Sequence, residues 1–551
     1  MQAKLQSSVH WARGFVFSWW LVSVLLAGHF LLGVSAVHRK SPTFDEGVHL
    51  AGGFSYWVTN DYRVNSESGN WPQRWMALPA WLLGDYYPPP DEPTWIKDDR
   101  YDFADRILYE SGNDADSMIF QGRVMTGLLS VALGAIVYFW SRQLFGALGG
   151  LISLTLYAFS PTILANGFLM TTDLAAALFF SAAMWTWWTL LHRISVLSLV
   201  LAGFSVAGLL LSKFSGVLIF PMILLLLAIR LLNDQPLHWA VGRRREINGR
   251  LKQLAVFSVV LLVQAAMIDL IIWGSYGFRY SMLNPAAGEN QNLDHPLDRI
   301  PAEFGLIVPV TKYLGDRGLL PEPFLYGFAC TVAKAEIRRS SMNGQFSTHG
   351  QFVFFPYCLA VKTPVEVFVI LFLAAWGAWF WRVQSKNTDP KKEQTSWFEL
   401  SWTGRMYALA PVLVLLGVYW TVSLASHLNI GQRHLLPTYP PMFILAGVAA
   451  CWLQSIPKPP TRPVATKRGK ANAVEAPERT NRLIVIARVL LIGGLLLSAL
   501  EAVWIWPDYL AYFNFLAGGP ANGYRHLVDS SLDWGQDLKE LKSWLARESK
   551  D

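Results

Sequence analysis

The sequence predicts an all-α polytopic membrane protein with about eleven transmembrane helices and large outer loops. Apolar residues make up 53% of the 551 residues. Charged residues make up only 15%, whereas soluble proteins average about 25%. The apolar residues also gather in runs of about 20, which is the length that crosses a bilayer as a helix. Together these three observations exclude a disordered chain and a soluble multidomain protein.

Eleven apolar runs divide the chain. The first could be a signal peptide, because Val34-Ser35-Ala36 resembles a cleavage site, but the run is longer than the usual ~7–15 residues. We therefore expect it to remain as a span. The predicted spans are 15–37, 122–140, 148–165, 173–191, 194–211, 215–232, 253–274, 364–381, 406–425, 437–454 and 483–504.

An odd number of spans puts the two termini on opposite sides of the membrane. If the N-terminus is inside, the inner segments are about twice as rich in Lys and Arg as the short outer loops and the tail, as the positive-inside rule expects. We therefore predict a cytoplasmic N-terminus and an outer C-terminus, in a bacterial cytoplasmic membrane. The net charge of +7 follows from these inner segments, such as Arg243-Arg244-Arg245, and does not indicate nucleic-acid binding.

The spans define a predicted domain organisation. The first large outer loop is acidic, since residues 38–120 hold 14 Asp and Glu but only 7 Lys and Arg. Its recurring Trp and Tyr residues predict helices in the membrane interface. The predicted units are a main transmembrane region (1–454) with outer loops 38–121 and 275–363, a basic cytoplasmic linker (455–482), a last span (483–504) and an outer tail (505–551).

Acidic residues stand directly beside two predicted span ends. Asp45 and Glu46 follow the first span, and adjacent carboxylates at a membrane surface suit general-base chemistry. They could instead be a solvated cap on an interfacial helix. Asp173 lies in the very short loop before the fourth span, so it is at the same outer face, although Thr172 or Asp173 could simply cap that helix.

Three cationic side chains are predicted at the same outer face. Lys213 lies between two spans, against the positive-inside trend, and needs a partner such as Asp173 or a lipid phosphate. Arg433 can bind a phosphate through two parallel hydrogen bonds, and His434 can add a donor. The alternative is that all three extend into the lipid headgroup layer.

Other candidate sites have weaker support. Asp269 lies inside the seventh span, where an acid is a default functional candidate, but it is close to the outer end and a structural role is favoured. Asp45, Glu46 and His49 could hold a divalent cation, although their spacing indicates it only weakly. The sequence therefore predicts no metal site and no cofactor.

Acids and cations at one membrane face suit a reaction in which a base activates a hydroxyl while a lipid-linked phosphate departs. At these residues the chain resembles the GT-C glycosyltransferases that use polyprenyl-phosphate sugars, in the branch of protein O-mannosyltransferases and aminoarabinose transferases. The segments similar to family motifs, in chain order, are Asp45-Glu46, Thr171-Thr172-Asp173, Ser212-Lys213-Phe214, the stretch from Phe346 to Pro364, Arg433-His434-Leu435-Leu436-Pro437 and the stretch from Asp529 to Asp537.

The resemblance implies an inverting transfer without a covalent enzyme intermediate. It implies Asp45 as the base, Glu46 and Asp173 as residues that shape the site, and Lys213, Arg433 and His434 as ligands of the lipid phosphate. The implied partners are a polyprenyl-phosphate-sugar donor, membrane lipids and an acceptor that is a protein, a lipid or a polysaccharide. One departure is Asn70-Trp71-Pro72-Gln73-Arg74-Trp75, where the family often has His-Pro-Pro-Leu, so the details of the donor or acceptor site differ.

Two other classes of protein remain as alternatives. A transporter or lipid flippase would need polar residues along a path through the bilayer, and only Asp269 suggests one. A non-catalytic scaffold would leave the acids and cations scattered, so that Asp45 and Asp173 would lie far apart.

Overall fold

The computed structural model describes residues 2–288, 307–336, 339–384, 397–455 and 475–548. Within these ranges the chain is almost entirely helical, which confirms the predicted fold class. The predicted linker 455–482 lies largely outside the described residues, as do 289–306 and 337–338 of the second outer loop.

The helices of the first half are α1 (Gln2–His38), α2 (Glu46–Val58), α3 (Asn70–Leu83), α4 (Pro93–Ile96), α5 (Arg100–Asp105), α6 (Ala115–Ala158), α7 (Pro161–Asn166), α8 (Asp173–His192), α9 (Val196–Leu210), α10 (Ile219–Leu232) and α11 (Arg250–Ser275). Those of the second half are α12 (Ile307–Asp316), α13 (Glu322–Glu336), α14 (Phe354–Lys362), α15 (Val365–Gln384), α16 (Trp402–Ala425), α17 (Tyr439–Ala446), α18 (Ala450–Gln454), α19 (Glu475–Trp504) and α20 (Leu538–Glu548).

Five short strands accompany the helices. They are β1 (Arg193–Ile194), β2 (Leu237–Trp239), β3 (Arg245–Ile247), β4 (Ser340–Met342) and β5 (Gln345–Ser347). Strand β2 pairs parallel with β1 and antiparallel with β3, while β4 and β5 form an antiparallel hairpin. The strands connect helices and leave the core to helix packing.

Eight helices among the described residues are long and apolar enough to cross a membrane, or nine if α14 and α15, which meet at a bend of 102°, form one span. The difference from eleven has two physical reasons. Helix α9 has only 15 residues, so it falls short of a full span. Helix α6 contains two of the predicted spans.

Helix α6 reverses direction at Gly146. The glycine has φ 81° and ψ −177°, a backbone conformation that side chains disfavour. The Ser153 hydroxyl donates to Ser141 over 2.8 Å, and the hydroxyls of Ser130 and Tyr157 lie 3.0 Å apart. A straight helix, rising about 1.5 Å per residue, would separate these pairs by roughly 18 and 40 Å. The two halves are therefore antiparallel, as the separate spans 122–140 and 148–165 predict.

The core lies around α8 and the segment 432–454. Of the best apolar stretch in 432–454, 94% of the residues are buried inside the protein, so this segment is surrounded by other helices. The first outer loop folds into α2 to α5, and α2 contacts α3 closely at Gly53, where a Cβ would lie 2.0 Å from the Gln73 carbonyl oxygen. Cys330 and Cys358 are both free thiols.

Candidate active site

An open cavity of about 230 Å³ lies where several helices begin or end. Five of the six predicted site residues line it, and Glu46 does not. The residues that line it are Asp45, Val48, His49, Asn65, Glu67, Ser68, Gly69, Arg100, Tyr101, Thr172, Asp173, Lys213, Phe214, Thr331, Lys334, Leu428, Ile430, Arg433 and His434. The fold thus brings together side chains from both outer loops and from three loops between spans.

Asp173 is a buried carboxylate between two cations. It begins α8, and its side chain is only 4% exposed. The Lys213 ammonium, at the end of the turn that follows α9, donates a hydrogen bond to one carboxylate oxygen, and Arg433 Nη1 lies 3.8 Å from the other. A buried charge is tolerated only with such partners. Asp173 therefore holds Lys213 and Arg433 in place.

Arg433 connects the two acidic motifs. Its Nη1 donates to Asp45 Oδ2 over 3.1 Å, in addition to its contact with Asp173. The opposite face of the guanidinium stacks on the Trp534 ring, 4.0 Å from its centroid. The Arg433 Nε–H is buried and has no hydrogen-bond partner among the described residues. This leaves one donor for a ligand, since buried polar groups normally have a partner.

Asp45 is the more accessible of these two carboxylates. Its side chain is 30% exposed, compared with 4% for Asp173. Arg433 binds Oδ2, while Oδ1 accepts no hydrogen bond within the described part of the chain. Because Asp45 lies in the turn just before α2, this free oxygen borders the cavity. It is positioned to accept a proton from a bound hydroxyl.

Two histidines, His49 and His434, line the cavity beside these charged residues. His434 Nδ1 accepts a hydrogen bond from the Lys213 ammonium over 3.2 Å, and the carbonyl of His434 accepts one from the Tyr419 hydroxyl. His49 is buried, and burial lowers its pKa although the Asp45 carboxylate acts in the opposite direction. His49 is therefore neutral at pH 7 and adds no positive charge to the cavity.

Glu46 points away from the cavity into the protein. Its carboxylate is fully buried and binds Arg123 through two hydrogen bonds of 2.6 and 2.9 Å. It also accepts from the backbone N–H groups of Thr43 and Met170. Burial acts to raise its pKa, but Arg123 and the two N–H groups outweigh this effect and lower it. Glu46 thus ties the Asp45 turn to the segment that leads into Asp173.

A second charged group lies across the cavity. The Glu67 carboxylate pairs with Arg100 of α5 over 3.2 Å and with Lys334 of α13 over 2.5 Å. Burial acts to raise the pKa of Glu67, but the two cations outweigh it and lower the pKa. This group joins the first outer loop to the second and closes that side of the cavity.

Sequence reasoning missed several of these residues. Arg123 has a signal, because an arginine near the end of an apolar run requires a partner. Trp534 lies in the stretch from Asp529 to Asp537 that resembles a family motif, but the motif predicts no contact for it. Glu67, Arg100 and Lys334 have no signal beyond their place in outer segments, because their contacts form only in the folded chain. Asp269, by contrast, does not line the cavity.

The described residues offer one cluster of acidic ligands, formed by Asp508, Asp537 and Glu540. Its centre is taken by the ammonium of Lys40, which contacts all three carboxylates. The weaker sequence hypothesis, a cation held by Asp45, Glu46 and His49, does not fit, because Arg123 and backbone groups already bind both oxygens of Glu46.

One stretch of the chain matches a known protein family. Residues 115–267 match the model described as dolichyl-phosphate-mannose-protein mannosyltransferase. The match agrees with the resemblance to protein O-mannosyltransferases that the sequence motifs indicate. The matched stretch includes Asp173 and Lys213, while Asp45, Arg433 and His434 lie outside it. No curated protein sequence matches the chain significantly.

Solved GT-C structures show a distant likeness. ArnT from Cupriavidus metallidurans bound to undecaprenyl phosphate has 15% identity and a TM-score of 0.45, covering 91% of this chain and 76% of ArnT. The oligosaccharyltransferase AglB from Archaeoglobus fulgidus, in complex with an inhibitory peptide and a dolichol-phosphate, has 12% identity and a TM-score of 0.43, covering 87% of this chain and 56% of AglB. At these values the likeness assigns no role to any residue of this chain.

Proposed function

We propose that this protein is a membrane glycosyltransferase that moves a sugar from a polyprenyl-phosphate carrier to an acceptor hydroxyl. One observation carries the proposal. The accessible Asp45 carboxylate shares a cavity with Lys213, Arg433 and His434, and the buried Asp173 contacts both Lys213 and Arg433. A base beside a group of phosphate-binding cations is the arrangement that such a transfer requires.

In the proposed reaction Asp45 Oδ1 takes the proton of the acceptor hydroxyl. The acceptor oxygen then attacks the anomeric carbon of the sugar, and the bond from that carbon to the phosphate oxygen breaks. The lipid phosphate leaves with the bonding electrons, and Lys213, Arg433 and His434 stabilise its charge. A single displacement inverts the configuration and needs no covalent enzyme intermediate.

A neighbouring apolar cavity supports a lipid-linked donor. It has a volume of about 330 Å³ and reaches Ser212, the residue before Lys213. It is lined by Trp57, Trp71, Pro72, Arg74, Trp75, Leu78, Leu129, Ala175, Phe179, Phe204 and Ser212. An isoprenoid chain in this cavity would place its phosphate beside Lys213.

The family description names a dolichyl-phosphate-mannose donor and a protein acceptor. For this chain we propose the donor class, a polyprenyl-phosphate sugar, and an acceptor that is a protein, a lipid or a polysaccharide. We further propose that the reaction takes place at the outer face of a bacterial cytoplasmic membrane, with the N-terminus inside and the C-terminus outside. We also propose the domain organisation that the sequence predicts. It consists of a main transmembrane region (1–454), a cytoplasmic linker (455–482), a last span (483–504) and an outer tail (505–551).

The alternatives have less support. A scaffold would separate Asp45 from Asp173, yet both carboxylates contact the same nitrogen of Arg433. A transporter would need Asp269 on a polar path, and Asp269 does not line the charged cavity.

The test measures sugar transfer in isolated membranes. Membranes containing wild-type protein or Asp45→Asn are incubated with radiolabelled undecaprenyl-phosphate sugars, and the label is followed into protein, lipid and polysaccharide fractions. We expect Asp45-dependent label in one fraction. Equal labelling by the two proteins would contradict the proposal.

A further inference from the structure

The C-terminal segment 529–540 lies against the cavity wall although it is far from the other site residues in the chain. Trp534 makes two different contacts there. Its ring stacks on the Arg433 guanidinium, 4.0 Å from the ring centroid. Its carbonyl accepts a hydrogen bond of 3.0 Å from the backbone N–H of Phe44, the residue before Asp45. One residue therefore contacts Arg433 and the residue that precedes Asp45.

Hydrogen bonds fix the segment on each side of Trp534. On the Asp45 side, the N–H of Ser41 donates to the Gln536 carbonyl over 2.8 Å. On the Arg433 side, the N–H of Gln432 donates to the Ser531 hydroxyl over 3.0 Å. The backbone positions of both members of the ion pair thus depend on the same short segment.

Buried lysines add two further anchors. The Lys362 ammonium is 3% exposed and donates to the carbonyls of Leu510 and Ser531 over 2.7 Å each. Lys40 is 7% exposed, and its ammonium contacts Asp508, Asp537 at 2.7 Å and Glu540 at 3.1 Å. Lys40 thus binds the tail through three carboxylates, and Lys362 binds it through two backbone carbonyls.

We propose that segment 529–540 is a working part of the active site and that Trp534 is a positioning residue for Arg433 and Asp45. The inference rests on the proposed function. The Trp534 ring holds the guanidinium at the orientation that leaves its buried Nε–H for the lipid phosphate, and the Trp534 carbonyl fixes the turn that carries the base. Loss of the ring is expected to weaken phosphate binding about tenfold, the scale of a well-placed cation–π contact.

The test uses the full-length protein in detergent and measures equilibrium binding of undecaprenyl phosphate. We expect Trp534→Ala to bind about tenfold more weakly and Trp534→Phe, which keeps an aromatic face, to recover most of the affinity. Trp544→Ala is the matched control, because Trp544 lies on the same tail, is 49% exposed and is outside the cavity lining. If Trp534→Ala does not fold, Trp534→Leu replaces it, since leucine keeps apolar bulk without a ring.

A double-mutant cycle separates positioning from general stability. In an Arg433→Ala background the Trp534 change should cost no further affinity, because the group it orients is gone. Wild-type affinity in Trp534→Ala, or an equal loss in the Arg433→Ala background, would overturn the inference. A wild-type protein that does not bind undecaprenyl phosphate would contradict the proposed function and the inference with it.

Discussion

Arg433 donates a hydrogen bond of 3.1 Å to Asp45, although 388 residues separate them in the chain. The contact joins the first outer loop to the loop before the penultimate apolar segment. It occupies one oxygen of Asp45 and leaves the other at the cavity. The pairing also keeps Arg433 close to the proposed site of the leaving phosphate.

The first prediction concerns the base. Asp45→Asn should reduce transfer by about 10²–10⁴-fold, which is the typical contribution of a positioned base. Undecaprenyl phosphate affinity and the melting temperature should change little, because asparagine has the same shape and the side chain is partly exposed. Asp91→Asn, at an exposed loop position, serves as the control. Full transfer activity in Asp45→Asn would remove Asp45 from the mechanism.

The second prediction concerns the phosphate site. Lys213→Ala should weaken undecaprenyl phosphate binding about 10–100-fold, the range of a charge-assisted hydrogen bond. It should also lower the melting temperature, because Asp173 then keeps only Arg433 at 3.8 Å. Lys213→Arg should restore part of the affinity and part of the melting temperature. Binding measurements alongside Lys252→Ala, an exposed lysine at the start of α11, provide the comparison. An unchanged affinity in Lys213→Ala would refute the phosphate role.

Much of this arrangement could be predicted from the sequence. Apolar run lengths fix the spans, and the short loops between spans fix Asp173, Lys213 and Arg433 near one membrane face. The direction in which each side chain points could not be predicted from the sequence. Asp45 and Glu46 are adjacent, yet one borders the cavity and the other is buried against Arg123, because the α2 turn sends them to opposite sides. The stretch that contains Trp534 resembles a family motif, but the contacts of Trp534 could not be predicted, since they depend on how a tail folds back over two distant loops.

The third prediction concerns the buried pair of Glu46 and Arg123. Glu46→Gln should lower the free energy of unfolding by about 3–5 kcal/mol, because it leaves the buried Arg123 charge unpaired. The folded pKa of Glu46 lies below its ordinary value of 4.5. Its stabilising contribution is therefore complete above pH 4.5 and is lost as the pH falls through the folded pKa.

Thermal unfolding from pH 7 to acid pH measures this effect. The difference between wild type and Glu46→Gln should shrink in acid. Glu110→Gln removes an exposed partner of Arg106 and should have a much smaller effect, as surface pairs do. A Glu46→Gln protein as stable as wild type at pH 7 would show that the Arg123 pair is not structural.

The fourth prediction tests the contact between the tail and the Arg433 loop. A Cβ on Gly431 would lie 2.1 Å from the Ser530 hydroxyl oxygen but 3.4 Å from the Ser530 Cβ. Gly431 has an extended backbone, φ −174°, which any residue can adopt, so the constraint is the hydroxyl alone. Gly431→Ala should therefore displace segment 529–540 and reduce both undecaprenyl phosphate affinity and transfer.

Removing the hydroxyl should relieve the clash. The double variant Gly431→Ala/Ser530→Ala should recover most of the affinity, because the two Cβ atoms are then at an ordinary contact distance. Ser530→Ala alone loses only the hydrogen bond to the Ile430 carbonyl and should remain close to wild type. Recovery in the double variant would locate the defect at this contact. A double variant as impaired as Gly431→Ala would mean that the glycine is required for another reason, and the tail contact would then have no part in shaping the site.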